Sequence, residues 1–388
     1  MSLRICWPVI SMTSKPQFGG ERVKLGDVCT LVLGQSPISS TCNACGQGLP
    51  FFQGNADFGR INPEATSWCT EPKKTAEPGD ILLSVRAPIG AVNIALEKCC
   101  IGRGVAAIRP NSRIIQTDYL KHVLVSYRSQ LETKGTGSTF KAVGKKVLSE
   151  FEIPICSLNR QSQIENQLNQ ILDCIENCKM EIEQLDQLVK SRFVEMFGSI
   201  VDNPKCWQTL PLSIAAPVDY KAFPEEDRVW QLNLDAVESM SGSVLSKTYA
   251  EAAELKGSIG GFDSSQVLYS KLRPYLNKVV VPDSSGVCTT ELLPLSPLEN
   301  VVNKVYLATA LRSSEFVTFA SNHSNGAKMP RTNMKAFRSF ELPIPPFKLQ
   351  QQFADFVAQV DKSGFAVRQQ IEKLQLLYDS LAQEYFGD

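Results

Sequence analysis

The feature that most constrains this chain is that it repeats itself. Phe151-Glu-Ile-Pro-Ile155 returns as Phe340-Glu-Leu-Pro-Ile344, an offset of 189 residues. The same offset carries Gln161-Ser-Gln-Ile164 onto Gln350-Gln-Gln-Phe353, Ile182-Glu183 onto Ile371-Glu372, and Phe197-Gly198 onto Phe386-Gly387. At offsets of 186 to 187, Ser84 and Pro88 meet Ser270 and Pro274, and Tyr119-Leu120 meets Tyr306-Leu307. Self-similarity at about half the chain length means a duplicated unit rather than one large core. The ends of the units match closely, while their earlier parts match only in outline. A shared frame carrying two different reading surfaces has that pattern; two copies that had merely drifted would diverge without such a boundary.

Each unit opens on a mixed segment. Residues 80–85, 91–96 and 105–108 are bounded by Gly and Pro and predict short strands. Residues 117–131 predict a helix with Thr117 or Asp118 as its cap. The second unit repeats this order with strands over 267–270 and 278–281 and a helix over 305–319. Each unit then closes on a long helix. Ile164, Leu168, Ile171, Ile175, Ile182, Leu185 and Val189 recur at alternating fours and threes, the seam spacing of a coiled coil. Phe353, Val357, Val360, Val367, Ile371, Leu374, Tyr378 and Leu381 stand at the matching places, with Arg192 and Gly364 as interruptions. Only a short stretch through Pro204 separates the first long helix from the second mixed segment. The second helix, which starts beside that segment, must therefore run back along the first. The expected fold is α+β: two tandem α/β domains separated by two long helices in an antiparallel coiled coil, with pseudo-two-fold symmetry. Its expected parts are a lead segment 1–23, domains 24–156 and 199–346, and helices 157–198 and 347–388.

Composition enters at this point, because 40 Lys+Arg against 40 Asp+Glu looks unfavourable for a polyanionic partner. The total is a cancellation. Residues 1–160 hold 19 basic and 12 acidic residues, whereas 161–198 hold 3 and 7. In the second unit, residues 202–263 carry 5 basic and 10 acidic residues, and 271–338 carry 9 and 4. Two acid-free runs fall at equivalent places. One, 133–149, contains Lys134, Thr136, Ser138, Lys141, Lys145 and Lys146; the other, 316–340, contains His323, Asn325, Lys328, Arg331 and Lys335. Gly lets a backbone approach a phosphate closely, and Ser, Thr, Asn and Lys donate to it. A solvated basic loop is the bland reading of either run alone. Recurrence at matched positions of a duplicated frame favours DNA contact. With Lys271, and with Arg86, Arg103, Arg273 and Arg331 as candidates for bidentate contact to guanine, these form the expected DNA-binding set, although Arg86 and Arg103 would equally suit ion pairs at a sheet edge and a structural role is open to each of the four.

Catalytic chemistry is missing. There are two histidines, His122 and His323, one in each unit, and no phosphate-binding Gly-x-x-x-x-Gly-Lys-Ser/Thr. Cys42-Asn-Ala-Cys45 has metal-like spacing but no second pair to complete a zinc site. The twelve cysteines, ten of them before residue 200, follow no disulfide framework. No stretch approaches the roughly 18–20 apolar residues of a membrane span, and the start lacks a secretory signal. The expectations are no catalytic residue, no bound metal or cofactor, no membrane, and a cytoplasmic location.

In its order of parts the chain resembles the specificity subunit of type I restriction–modification enzymes. The resemblance runs from about residue 24 onward and rests on Gly34-Gln-Ser-Pro37, Leu49-Pro-Phe-Phe-Gln-Gly54, Gly79-Asp-Ile-Leu-Leu-Ser-Val-Arg-Ala-Pro-Ile-Gly-Ala-Val-Asn93, Gly135-Thr-Gly-Ser-Thr139 and Glu152-Ile-Pro154. It implies two target recognition domains, each reading half of a split double-stranded DNA site, with the helical pair as spacer. It also implies methyltransferase subunits docked on the helices, using S-adenosylmethionine, and ATP-driven restriction subunits in the full complex. The second unit departs from the pattern: it lacks the Gly-Gln-Ser-Pro stretch and carries an acidic Pro224-Glu-Glu-Asp227. Two alternatives stay open, the detached specificity half of a fused restriction–methylation enzyme and a coiled-coil scaffold that binds no DNA.

Overall fold

A computed structural model of the chain describes residues 21–135, 141–223, 226–255 and 258–387. The chain divides into two compact units, the first comprising Met1–Cys178 and Gln370–Asp388, the second Lys179–Gln369.

In the first unit β1 (Glu21–Lys24) leads through the single-turn α1 (Leu25–Val28) into β2 (Cys29–Leu33). The short strands β3 (Cys42–Asn43), β4 (Leu49–Phe52), β5 (Trp68–Cys69) and β6 (Thr75–Ala76) follow. After them come β7 (Ile81–Ser84), β8 (Val92–Ile94), β9 (Cys99–Ile101) and β10 (Val105–Pro110). Hydrogen bonding sorts these into a sheet ordered β2-β10-β7-β8 and another ordered β3-β5-β4-β9-β6. Ile81, Leu82 and Leu83 are all fully buried, so β7 is covered on both faces, which is why it is a continuous apolar run and not an alternation. Helices α2 (Thr117–Ser126), α3 (Arg128–Thr133) and α4 (Lys145–Ser149) come next, and β11 (Glu152–Ile155) returns to pair antiparallel with β1. The long helix α5 (Leu158–Phe197) begins in this unit and ends in the second.

The second unit repeats the plan. It contains β12 (Thr209–Pro211), α6 (Leu212–Ala215), β13 (Arg228–Leu232), β14 (Thr248–Glu251), β15 (Ile259–Phe262) and β16 (Val267–Ser270). These are followed by β17 (Val279–Val280), β18 (Gly286–Thr289), β19 (Leu292–Leu295), α7 (Lys304–Arg312) and α8 (Ser314–Asn322). The hairpin β20 (Ser324–Asn325) and β21 (Arg331–Thr332), the short α9 (Met334–Arg338) and β22 (Glu341–Pro343) complete it before α10 (Phe347–Phe386). Here the sheets are ordered β14-β13-β18-β15 and β17-β16-β19, and β12 pairs with β22 as β1 does with β11. Leu25 N donates to Phe151 O and Leu212 N to Phe340 O, so even the closing turn is reproduced.

Within the second unit Leu185 faces Gly364 and Phe193 packs on Phe353, so numbering rises along α5 as it falls along α10: the pairing is antiparallel. Within the first unit the Tyr385 hydroxyl donates to Gln167 at 2.7 Å. Of the seam residues, Ile164, Leu168, Ile171, Ile175, Phe353, Val360, Val367, Leu374 and Tyr378 are buried; Ile182, Leu185, Val189, Val357, Ile371 and Leu381 are half-buried. Gly364 is buried, and the Arg192 guanidinium lies over the Phe356 ring.

Several of the residues that match across the duplication join each long helix to its globular segment. Phe386 meets Tyr119 edge-on at 5.6 Å, and Phe197 meets Tyr306 edge-on at 4.9 Å. Tyr119 OH donates to Pro154 O, and Tyr306 OH donates to Pro343 O. Fully buried Gln161 accepts from Gln116 N and donates to Ile114 O and Cys156 O; fully buried Gln350 accepts from Asn303 N and donates to Val301 O and Pro345 O.

Two helices differ from expectation. The helix expected over 117–131 breaks at Tyr127, which is C-cap to α2 and N-cap to α3. The helix expected over 305–319 breaks at Ser313, whose side chain caps α8 by accepting from Phe316 N. Neither Thr117 nor Asp118 caps α2: its N-cap is Gln116, with no side-chain cap bond of its own, and it is Gln161 that engages the Gln116 N–H.

Candidate nucleic-acid interface

In the first unit three segments meet beyond the end of β7. Val85 N donates to Gly104 O and Val143 N to Val85 O, both at 2.9 Å, and Arg86 forms a backbone bridge with Ala142. Buried Ser84 holds the turn, its hydroxyl lying 2.9 Å from the carbonyl oxygens of Arg86 and Pro88. The separated motifs converge on this junction. Gly34 N donates to Val105 O, Gln35 N to Ile101 O, Gly102 N to Phe52 O and Gly104 N to Gln53 O. A Cβ on Gly34 would come within 2.1 Å of Gly102 O, so that position requires glycine. Arg103 donates from Nε to Ser36 Oγ at 3.0 Å.

Arg86, Arg103, Lys134, Lys141, Lys145 and Lys146 are all exposed. Among the described residues none of the six has an acidic partner; Lys134 lies over the Phe151 ring. Thr136 and Ser138 lie outside the described residues. Ser36 belongs to the Gly34-Gln-Ser-Pro37 motif, but nothing in the sequence marks it as an anchor for Arg103.

The second unit builds the same junction beyond β16. Lys271 N donates to Glu291 O, Thr332 N donates to Lys271 O at 2.8 Å, and Leu272 forms a backbone bridge with Arg331. The β20–β21 hairpin pairs Asn325 with Arg331, and Asn333 N donates to His323 O, so Lys271, His323, Asn325 and Arg331 are brought together. Lys328 is exposed at the hairpin tip, and Lys335 is exposed on α9. Arg273 N donates to Pro330 O in the loop of this hairpin; its backbone is left-handed at φ 49°, a strained setting for a non-glycine residue. Arg331 is engaged by an acid: its Nε lies 3.2 and 3.1 Å from the two carboxylate oxygens of Glu291. His323 closes α8, with Nδ1 2.9 Å from Phe319 O.

His122 is buried, with Nδ1 2.9 Å from Tyr378 OH and Nε2 2.9 Å from Asn169 Oδ1, and burial pushes it down to about 4. Burial pushes the Cys29, Cys99, Cys100 and Cys288 thiols up to about 12, away from nucleophilic reactivity. Cys42 stands opposite Cys69 across β3 and β5. Among the described residues no group of three or more His, Cys, Asp or Glu is placed to hold a metal ion, and no helix is long and apolar enough to cross a membrane.

Comparison with known proteins gives a consistent result. Residues 19–187 and 278–375 match the family model described as the type I restriction modification DNA specificity domain. A putative type I restriction enzyme MjaX specificity subunit of Methanocaldococcus jannaschii is 41% identical over 172 residues, 44% of this chain and 40% of that protein. The chain thus covers less than half of that relative's length. The type I restriction enzyme EcoDI specificity subunit of Escherichia coli is 23% identical across 90% of this chain and 82% of its own. A crystal structure of a type I restriction–modification S subunit from M. genitalium shares the fold with a TM-score of 0.58, at 15% identity, covering 97% of this chain and 98% of that one.

Proposed function

The chain belongs to the family of type I restriction modification DNA specificity domains, and from that premise we propose that it is the non-catalytic, sequence-reading subunit of such a complex. Residues 24–156 and 199–346 each read one half of a bipartite double-stranded DNA site. The helical pair sets the spacing and docks two methyltransferase subunits. S-adenosylmethionine and ATP belong to the methyltransferase and restriction subunits, and this chain contributes recognition alone.

One observation carries the reading. Both units fold to the same three-segment backbone junction, surround it with exposed cations, and change the side chains on it. Arg86 opposite Ala142 becomes Leu272 opposite Arg331. A common frame with unlike surfaces suits an asymmetric site: exposed lysines grip phosphates while a few side chains read base edges. The acidic residues of the long helices, seven of them within 161–198, disfavour DNA along the helices and favour protein there.

The test is binding by the full chain assembled with its methyltransferase, read as a function of salt. Lys141→Ala with Lys145→Ala removes two phosphate contacts, so affinity falls on all sequences and the slope of log K against log salt flattens by about 2. An unchanged slope removes this loop from the interface. Methylome sequencing of cells co-expressing both chains is expected to show a bipartite adenine-methylated motif; a continuous motif would overturn the two-domain reading.

A further inference from the structure

Arg331 and Arg103 share a geometry that the other candidate arginines lack. Each is fixed through Nε, Arg331 by the Glu291 carboxylate and Arg103 by Ser36 Oγ, and neither Nη group of either has a partner among the described residues. The two Nη groups form the end of the guanidinium fork that meets guanine O6 and N7 side by side. Anchoring at Nε removes much of the rotamer freedom of a long side chain and leaves the reading end unoccupied. Arg86 has no such anchor among the described residues, and the Nε of Arg273 is buried without a hydrogen-bond partner.

The two anchors differ in charge, and that difference separates their roles. Ser36 is neutral, so Arg103 can serve a phosphate or a base. Glu291 brings a carboxylate, one quarter exposed, to the centre of the acid-free stretch 316–340, where it repels any phosphate that approaches Arg331. A residue whose task was phosphate binding would be weakened by that neighbour. A base reader gains from it, because the carboxylate holds the fork and suppresses contacts that carry no sequence information. Glu291 reaches this place because Lys271 N binds its backbone oxygen in the turn between β18 and β19, at the same junction that in the first unit is closed by Gly104. Glycine offers no side chain there.

We propose that Arg331 reads a guanine in the half-site of the second unit and that Glu291 is its positioning residue, excluding phosphate and so setting specificity. This rests on the function proposed above and adds the base and the discriminating residue.

The experiment uses the full chain with its methyltransferase subunits on the motif found by methylome sequencing, with 7-deazaguanine placed at each guanine in turn. Wild type is expected to lose about tenfold in affinity or more at one guanine, and Arg331→Ala to be indifferent to that same replacement. Glu291→Ala is expected to bind random DNA more tightly while its ratio of cognate to random affinity falls at least several-fold. A purely structural role for Glu291 would lower both affinities together. If wild type shows no sequence preference, the proposed function itself fails. If wild type discriminates but no guanine is coupled to Arg331, or Glu291→Ala leaves the ratio unchanged, this inference alone is overturned.

Discussion

Gln161 and Gln350 show how much one side chain contributes to this frame. Each is fully buried and satisfies one backbone N–H and two backbone carbonyls, at the matching places in each unit. Leucine in either position fills the space and leaves those three groups without partners, at about 1–3 kcal/mol for each that water cannot reach. Gln161→Leu and Gln350→Leu are each expected to cost about 3 kcal/mol, measured by urea unfolding; losses below about 1 kcal/mol in both would show that water replaces the amide. His122 gives a pH-dependent counterpart. Held neutral between Tyr378 and Asn169 and depressed to about 4 from an ordinary 6.5, it binds fewer protons folded than unfolded below neutrality. Stability therefore falls as pH drops from about 6.5 toward 4, by about 2 kcal/mol between pH 7 and 5. Urea titrations at those two pH values check it: His122→Phe should remove most of that difference, and an equal pH dependence in the variant would place it on other groups. The sequence marks both glutamines as repeated, but two of the three partners of each lie 45 to 49 residues away and no local pattern names them.

At the level of elements, the long helices were legible because a 3.5-residue period integrates evidence over forty residues. Their ends, Phe197 and Phe386, repeat in the sequence without any local reason. The reason is a long-range aromatic joint to Tyr306 in one unit and Tyr119 in the other. Phe386→Ala is expected to cost about 3–5 kcal/mol and to speed amide exchange in α2 before the sheets of the first unit respond. Unchanged protection of α2 would mean that the joint does not hold the helix in place. The breaks after α2 and α7 differ in legibility. Ser313 is a readable N-cap, whereas Tyr127 carries no breaker signal, and its hydroxyl bonds Phe386 O from the far end of the chain. The candidate interface divides in the same way. Its exposed lysines were visible as acid-free runs, but the Ser36 and Glu291 anchors were not, because the sheets bring them from distant segments to the arginines.

For the whole molecule, the neutral total of 40 against 40 conceals a division of charge between basic junctions and acidic helices. If the helices set the spacing between half-sites, the spacing must follow helix length and nothing else. Seven residues inserted into α5 alone would shift its seam against α10, exposing apolar residues and destabilising the pair. Seven inserted after Cys178 and seven after Gln369 keep both seams in phase, because a heptad is two turns of the seam. Each helix then grows by about 10 Å at 1.5 Å per residue, close to three base pairs of B-form DNA at 3.4 Å per pair. The doubly lengthened chain, expressed with its methyltransferase, is expected to methylate a motif with the same two half-sites and a spacer about three base pairs longer. The added pairs also rotate one half-site by roughly 100° about the duplex axis, given 10–10.5 pairs per turn. Activity will therefore fall as the complex twists the DNA to compensate, and motif identity read by methylome sequencing is the decisive measurement. An unchanged spacer would show that the gap is set elsewhere, and altered half-sites would show that the helices also shape the reading surfaces.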